Sequence, residues 1–569
     1  MLSLIGAICL FLVVGLGNSR QVLTTVNLDY GTFQGAYDPG YNISYWQKIP
    51  FAAPPTGQNR FRAPQPPLPI PHDVVYDSSQ PFDMCPQRTV NGSEDCLYLG
   101  LYGRPWTPGA ALRPVVVTFY GGGFIQGSAS FNLPPSAYPI LNVSAATDLI
   151  FVYPNYRVNA FGFLPGREVA EDRFSDANAG LLDQAMALRW TRRYIGEFGG
   201  DKDRVTIWGQ SAGGGSVLAQ TIADHGFSGK ARSRNQYRNR NRNQKRSGKG
   251  KRKGIKREKE DGPLFRQALA SSPFWPKTYA VDAPEAQWRY DALANLTGCA
   301  VQPDSLKCLK SVDVQTIRDA NLAIIDSHKY TTATYEWGPV IDGVFLRHRL
   351  SSSSPSSPQR GAIVAGYGMY NTHEGETFLP PGLKSSSNTG TPPFNSSTAS
   401  FDNWVSGYLP TLSRADIADL KALYPESGSA ENIAGYADSF TRAGLVYRDS
   451  TLACPAYWMA GGARDGGWVG EYTIPPAMHA SDVYWWNSIG PAQVQDPLHY
   501  KGYAGAMASF FMTGDPNALK LTGEDVPGLP DLRTGREWVI DSAGFMSAKL
   551  VEFKERCAFW KRVGPKIPI

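Results

Sequence analysis

Apart from its N-terminus, the sequence lacks any long apolar run. A helix needs about 20 consecutive apolar residues to cross a bilayer, and no segment after residue 20 reaches that length. This absence excludes a protein built on several membrane spans. Residues 2–17 are almost entirely apolar and end abruptly at the polar residues 18–21. That pattern favours a cleaved secretory signal over residues 1–19, with an N-terminal anchor as the alternative.

Histidine and cysteine are both scarce, with seven of each in 569 residues. Their spacing forms no zinc-type cluster, which argues against a metalloenzyme, and no cofactor motif is present. One cysteine lies in the predicted signal, and six remain: Cys85, Cys96, Cys299, Cys308, Cys454 and Cys557. The first two and the next two are close in sequence, and each pair would close a short disulfide loop of an exported protein. The last two either pair with each other or stay as buried thiols.

Five N-x-S/T sequons are present, which is the acceptor pattern for N-glycosylation. They lie at Asn42, Asn91, Asn142, Asn295 and Asn395. Together with the predicted signal and the cysteine pattern, they predict a secreted, extracellular glycoprotein.

The net charge of +6 comes from one segment of the chain. Residues 230–260 contain 15 Lys or Arg and two Glu, so the rest of the chain has a net charge of −7. The basic residues therefore indicate no nucleic-acid-binding fold. The surrounding insertion, residues 226–260, has almost no apolar residues and is predicted to be a disordered surface loop. Three interpretations stay open: a retained intron in the gene model, a solvated loop, or a protease-sensitive or polyanion-binding segment.

Strand-like and helix-like segments alternate along the chain. Short apolar runs at 114–120, 148–154, 203–208 and 467–474 are typical of buried strands, and residues 178–198 have the period of a helix. This alternation predicts an α/β fold with a large, mostly parallel central sheet flanked by helices.

The run Gly-Gln-Ser-Ala-Gly at 209–213 lies between a predicted strand and a predicted helix over 214–220. Strand, sharp turn and helix form the context of a nucleophile elbow, in which the hydroxyl of Ser211 projects above the sheet. The motif is weak on its own, because a glycine-rich turn also fits it.

A second glycine run, 121–123, directly follows the buried strand at 114–120. Glycines at the end of a central strand allow backbone amides to face a ligand. We therefore predict an oxyanion hole formed by the amides of Gly122, Gly123 and Ala212, with a flexible loop as the alternative.

Taken together, these motifs resemble a known family. The residues that carry the resemblance are 50–57, 94–99, 120–124, 155–163, 198–201, 209–213, 337–343, 374–375 and 513–517. The chain resembles the type-B carboxylesterase/lipase family, the cholinesterase-like branch of the α/β-hydrolases, and most of all its secreted fungal members. The resemblance implies a single α/β-hydrolase catalytic domain over 20–569 that acts on small-molecule or lipid esters.

The chain departs from the family pattern in three places. Tyr120 stands where many members have His before the glycines, and Gln210 stands where many have Glu before the nucleophile. The third departure is the basic insertion.

The resemblance also implies a catalytic triad in the chain order Ser, acid, His. A serine hydroxyl needs a base within hydrogen-bond reach, and that base needs an orienting carboxylate. The family position of the acid falls on Glu374, which precedes Gly375, with Glu376 as the alternative. The position of the base falls on His479, in a loop after a predicted strand. His499, before a predicted helix, is the other candidate.

The expected pocket walls are aromatic, because four aromatic residues lie beside predicted catalytic elements: Phe124, Phe274, Trp275 and Tyr370. Ordinary core packing is the alternative for each. The loop between Cys85 and Cys96 has ten residues, shorter than the lid-forming loop of lipases in this family. We therefore expect a carboxylesterase with an open gorge rather than an interfacial lipase. A non-catalytic cholinesterase-like binding protein is disfavoured because all three triad residues are present.

Overall fold

The computed structural model describes residues 24–225, 262–327, 336–352 and 363–569. The predicted signal peptide, 1–19, and the basic insertion, 226–260, lie outside these ranges. Among the helices in the described ranges, none combines the length and the apolar character needed to cross a bilayer.

The described residues contain 16 strands, most of them short and buried. In chain order they are β1 (Thr25–Leu28), β2 (Gly31–Gln34), β3 (Ala36–Asp38), β4 (Ile43–Pro50), β5 (Val75–Asp77), β6 (Tyr98–Gly103), β7 (Arg113–Phe119), β8 (Ile150–Pro154), β9 (Gly200–Gln210), β10 (Gln267–Ser271), β11 (Ala365–Asn371), β12 (Gly428–Ala430), β13 (Ile433–Tyr436), β14 (Gly466–Tyr472), β15 (Arg536–Asp541) and β16 (Gly544–Lys549).

Eleven of these strands form one mixed sheet, in the spatial order β16-β15-β14-β11-β10-β9-β7-β8-β6-β4-β3. The seven strands from β15 to β8 run parallel to one another. Antiparallel strands lie at both edges. The predicted large, mostly parallel sheet is confirmed. Strands β1, β2 and β5 form a small separate sheet, and β12 pairs with β13.

Helices cover both faces of the sheet. They are α1 (Tyr138–Asn142), α2 (Asn159–Phe163), α3 (Arg167–Glu171), α4 (Ala179–Tyr194), α5 (Ala212–Ile222), α6 (Pro284–Leu296), α7 (Ser305–Ser311), α8 (Val314–Ser327), α9 (Thr398–Tyr408), α10 (Arg414–Leu423), α11 (Ser439–Arg448), α12 (Cys454–Ala460), α13 (Ala492–Gln495), α14 (Pro497–Thr513) and α15 (Val551–Val563).

The side chains of β7 show how the sheet separates two cores. Successive residues of a strand point to opposite faces. Val115 and Val117 therefore pack into the core that contains α4 and α5, whereas Val116 packs into the core that contains α1 and α14. Every residue of β7 is buried, which explains why its centre, Val115–Val117, is continuously apolar rather than alternating with polar residues.

Three disulfides connect the loops and helices. Cys85–Cys96 and Cys299–Cys308 close short loops, with Cα–Cα distances of 5.2 and 5.5 Å. Cys454–Cys557 joins α12 to α15 across 103 residues, which is the pairing that the sequence left open.

Candidate active site

Ser211 lies at the corner between β9 and α5. Its φ of 58° and ψ of −127° belong to a region that non-glycine residues rarely occupy. The surrounding backbone holds this strained turn, because the Ser211 amide donates to the carbonyl of Ser271 at 3.0 Å and its carbonyl accepts from the amide of Phe274 at 2.8 Å. The sequence thus builds a sharp turn that presents one hydroxyl at the carboxyl edge of the sheet.

The glycines around Ser211 are required by close backbone approaches. A Cβ at Gly213 would lie 2.0 Å from the carbonyl oxygen of Phe119, and one at Gly209 would lie 2.3 Å from the carbonyl carbon of Gly213. On the other side of the turn, a Cβ at Gly121 would lie 3.0 Å from the Cβ of Ser211. The second glycine run therefore packs directly against the serine turn.

His479 connects Ser211 to a buried carboxylate. Its Nε2 lies 2.8 Å from the Ser211 Oγ, and its Nδ1 lies 3.0 Å from the Glu374 Oε2. The Glu374 side chain is completely buried, whereas 10% of the His479 side chain is exposed. With Nδ1–H donating to the carboxylate, Nε2 is left to accept the serine proton. The structure therefore brings together the three residues expected to form a triad.

The two alternative candidates form hydrogen bonds elsewhere. The Glu376 carboxylate contacts the Nδ1 of His373 at 2.9 Å. His499 lies in α14, where its Nδ1 is 2.6 Å from the Asp496 carboxylate. Neither side chain reaches Ser211 in the structure.

The predicted oxyanion amides lie on two elements that meet at Ser211. Gly122 and Gly123 have positive φ angles of 111° and 65°, and a Cβ at Gly122 would lie 2.3 Å from the carbonyl oxygen of Gln126. Neither glycine amide donates a hydrogen bond to another described residue. Ala212 is the first residue of α5, where helical amides have no partner within the helix. These amides are therefore available to a substrate oxygen.

Residues 22–231 and 256–487 match the model of the carboxylesterase family. The chain belongs to the carboxylesterase family. This confirms the resemblance drawn from the motifs and identifies the chain as a carboxylic ester hydrolase. Carboxylesterase patB of Aspergillus clavatus is 28% identical over 96% of this chain and 88% of the relative. Secreted lipase 1 of Botryotinia fuckeliana is 30% identical over 54% of this chain and 52% of the relative. Para-nitrobenzyl esterase of Bacillus subtilis is 41% identical over 35% of this chain and 40% of the relative.

Solved structures show the same fold. Aspergillus niger EstA aligns with a TM-score of 0.76 and 23% identity, over 97% of this chain and 100% of that one. PNB esterase aligns with a TM-score of 0.68 and 24% identity, over 94% of this chain and 99% of that one. The family member described here therefore has the α/β-hydrolase fold.

Three of the four predicted pocket aromatics lie near the catalytic elements. Phe124 and Phe274 have ring centroids 6.4 Å apart, and Trp275 follows in the same loop. All three are completely buried. That these three side chains form the pocket walls stays a prediction.

Tyr370 lies in the core rather than at the site. Its side chain is only 1% exposed, its hydroxyl donates to Glu537 at 2.8 Å, and its ring stacks on Phe553 at 5.3 Å. The expectation that it forms a pocket wall is therefore wrong. Alternation along β11 directs this side chain toward α15, which sequence position alone did not reveal.

Phe378 is a site residue that the sequence reasoning missed. Its ring packs edge-on against the His479 imidazole at 4.9 Å and stacks on Phe274 at 5.8 Å. It is only partly buried, so a substrate group can contact it beside the base. Its position four residues after Glu374 was the available signal.

Gln210 also contacts the base. Its Nε2 lies 3.5 Å from the His479 Nε2, so a neutral amide adjoins the imidazole nitrogen that contacts the Ser211 hydroxyl. This is one of the positions where the chain departs from the usual family residue.

A buried charge cluster supports the loop that carries Glu374. The cluster consists of Glu431, Arg448, Asp449, Glu471, Glu537 and Arg556, none of which the sequence analysis singled out. Arg448 donates to the Thr372 carbonyl at 3.3 Å, and the Thr372 hydroxyl donates to Glu471 at 2.8 Å. Since Thr372 lies two residues before Glu374, the cluster fixes the start of the acid loop.

The next residue, Gly375, fits tightly against α11. A Cβ at Gly375 would lie 1.9 Å from the carbonyl oxygen of Gly444 and 2.7 Å from the Arg448 amide nitrogen. The acid loop is therefore held on both sides of Glu374 by buried contacts.

The cluster contains four carboxyl groups and two guanidinium groups. Although burial opposes it, the charges of Arg448 and Arg556 lower the pKa of Asp449. Burial, reinforced by the charge of Glu471, raises the pKa of Glu537 well above its usual value. Burial therefore favours the neutral form of Glu537 inside the core, and protonation there would reduce the excess of negative charge.

Proposed function

We propose that this family member cleaves carboxylic esters through an acyl-enzyme on Ser211. His479 Nε2 takes the proton from the serine Oγ as Oγ attacks the ester carbonyl carbon. The imidazolium then gives that proton to the leaving alcohol. Water attacks the acyl-enzyme by the reverse sequence and releases the carboxylic acid. Glu374 keeps the imidazole oriented and stabilises its transient positive charge.

The negative charge that develops on the carbonyl oxygen is accepted by the amides of Gly122, Gly123 and Ala212. Preorganised amides of this kind supply a large share of the stabilisation in acyl transfer, because they need no reorientation when the charge appears. The positive end of α5 adds to the same effect.

The observation that carries the proposal is the continuous Ser211–His479–Glu374 hydrogen-bond chain, at 2.8 and 3.0 Å. Ser211→Ala should lower kcat/KM for a p-nitrophenyl ester by at least about 10³-fold while circular dichroism stays unchanged. Ser387→Ala, on the surface, is the matched control and should retain full activity. A fluorophosphonate should label the wild-type chain on a peptide that contains Ser211. Activity retained in Ser211→Ala would refute the mechanism.

An esterase acting on dissolved substrates is the preferred form of this activity. Lids of interfacial lipases must move, but the Cys85–Cys96 loop is bonded to the glycine loop: the Gln87 side chain donates to the Gly127 carbonyl at 2.9 Å and accepts from its amide at 2.8 Å. We expect hydrolysis of p-nitrophenyl butyrate below its solubility limit, without a jump when tributyrin forms droplets. Activity confined to emulsified substrate would instead favour a lipase.

We also propose that residues 20–569 form one catalytic domain that is secreted and glycosylated. The three disulfides support export, as does the similarity to a relative named as a secreted lipase. Four sequon asparagines are exposed, and Asn395 is half-buried. N-terminal sequencing and glycopeptide mass spectrometry of the extracellular protein test this. An uncleaved N-terminus in cell-associated protein would contradict it.

A further inference from the structure

Two tyrosines form a reciprocal pair at the entrance to the glycine loop. Tyr120 directly precedes Gly121, and Tyr156 follows the end of β8. Their rings stack with centroids 4.0 Å apart and an interplanar angle of 12°. The Tyr156 hydroxyl donates to the Tyr120 carbonyl at 2.6 Å, and the Tyr120 hydroxyl donates to the Tyr156 carbonyl. The Tyr156 amide in turn donates to the Tyr120 hydroxyl oxygen at 3.3 Å.

These bonds act on the peptide from which the loop departs. The Tyr120 carbonyl belongs to the same peptide plane as the Gly121 amide, so holding that carbonyl fixes the direction in which the chain enters the loop. The following glycines have little conformational preference of their own. The orientation of the Gly122 and Gly123 amides must therefore be imposed by the ends of the loop.

The other end of the loop has its own anchor. Gln87 bonds to both the amide and the carbonyl of Gly127, and the amide of Asn159 donates to the Phe124 carbonyl at 2.7 Å. The glycine run is thus held at one end by the tyrosine pair and at the other end by these contacts, and it lies beside Ser211.

Both hydroxyls remain donors over the working range of pH. Burial raises the pKa of Tyr156 well above its usual value, and it does the same for Tyr120. A buried carbonyl that loses its hydrogen-bond donor carries the desolvation cost of an unmade hydrogen bond. Removing either hydroxyl therefore leaves the carbonyl of the other tyrosine unsatisfied.

We propose that Tyr120 and Tyr156 are positioning residues that orient the oxyanion-binding amides, a role that rests on the proposed acyl-enzyme mechanism. The pair touches no reacting atom. It acts through the peptide planes of the glycine loop, so its contribution appears in the transition state, where charge develops on the carbonyl oxygen, rather than in substrate binding.

Tyr156→Phe tests the proposal, because phenylalanine keeps the stacking and removes only the hydroxyl. We expect kcat for a p-nitrophenyl ester to fall by about 10- to 100-fold with KM within twofold, since a displaced amide loses part of the contribution of one oxyanion donor. Affinity for a trifluoromethyl ketone, which binds as a tetrahedral oxyanion adduct, should fall by the same factor. Tyr120→Phe should behave in the same way and gives an independent test if the first variant folds poorly.

Tyr153→Phe is the matched control. Tyr153 is also a buried tyrosine of the same chain segment, and its hydroxyl donates to the Ser136 carbonyl at 2.6 Å. It lies in the core on the other face of the sheet, so its loss should lower the melting temperature without changing kcat. If Tyr156→Phe keeps kcat and ketone affinity within twofold, or if Tyr156→Phe and the control Tyr153→Phe lose kcat equally, the positioning role is refuted. Failure of the underlying mechanism would show separately, as no fluorophosphonate labelling of Ser211 in the wild-type chain.

Discussion

Replacing Arg448 with methionine should destabilise the chain strongly. Arg448 is completely buried and donates to Asp449 at 2.9 Å and to Glu431 at 3.0 Å. Methionine has a similar length but no charge, so among the described residues Arg556 is left as the counter-ion of these carboxylates. Removing one partner of a buried ion pair costs about 3–5 kcal/mol, because the remaining charge is both desolvated and uncompensated.

Arg533→Met is the matched control for this prediction. Arg533 pairs with Asp531 at 2.8 Å, but its side chain is 75% exposed, and exposed pairs contribute about 0–1 kcal/mol. The assay is urea unfolding at pH 7, followed by both circular dichroism and tryptophan fluorescence, whose transitions must coincide for a two-state treatment. If the free energy of unfolding of Arg448→Met lies within about 1 kcal/mol of that of the control, the cluster does not depend on this guanidinium and the reasoning from burial fails.

A second consequence of Arg448→Met concerns activity. Because Arg448 also holds the Thr372 carbonyl, the folded variant should show a lower kcat at temperatures well below its unfolding midpoint. Thr372→Val removes the bond to Glu471 and Thr372→Ser retains it, so the valine variant should lose more activity than the serine variant. Equal activity in both would show that the acid loop does not need this contact.

Three further predictions follow from single residues. Because burial raises the pKa of Glu537 in the folded chain above its ordinary 4.5, the folded chain binds that proton more tightly, and stability falls as pH rises above this value. Glu537→Gln should therefore reduce the loss of melting temperature between pH 5 and pH 8, and an unchanged loss would contradict the assignment. Gln210→Glu places a carboxylate beside His479 and favours the imidazolium. The acid limb of the pH–kcat/KM profile should therefore move to higher pH by about one pH unit. An unmoved limb would show that the side chain of residue 210 points away from His479 in solution. Gly375→Ala puts a methyl group 1.9 Å from the Gly444 carbonyl oxygen and should cost about 1–3 kcal/mol or more, together with activity; a neutral effect in unfolding and turnover assays would mean that α11 can shift freely.

Motif and chain order sufficed to select the three side chains that meet at the candidate site. A glycine-flanked serine after an apolar strand has few alternative conformations, and the scarcity of histidine left few bases to consider. The strand that precedes Glu374 was less well placed. The short apolar run at 362–366 indicates a strand there, whereas β11 runs over Ala365–Asn371, because its buried glycines give the rest of this strand the composition of a loop.

The supporting residues could not be found from sequence. Glu431, Arg448 and Arg556 come from a turn and two distant helices, and their opposite charges give no signal until the fold brings them together. Tyr370 was misplaced for a related reason. It lies four residues before Glu374 in the chain, but the pleat of β11 sends its side chain into the core.

The hydrogen bonds from Gln87 to Gly127 connect the glycine loop to the loop that the Cys85–Cys96 disulfide closes. Gln87 lies inside the ring closed by Cys85 and Cys96, so this crosslink supports one of the two anchors at the far end of the glycine loop. Without that crosslink Gln87 would be held less firmly, while the hydrogen bond from the Asn159 amide to the Phe124 carbonyl would remain at the same end of the loop. These two cysteines would then support the glycine loop as well as the stability of the fold.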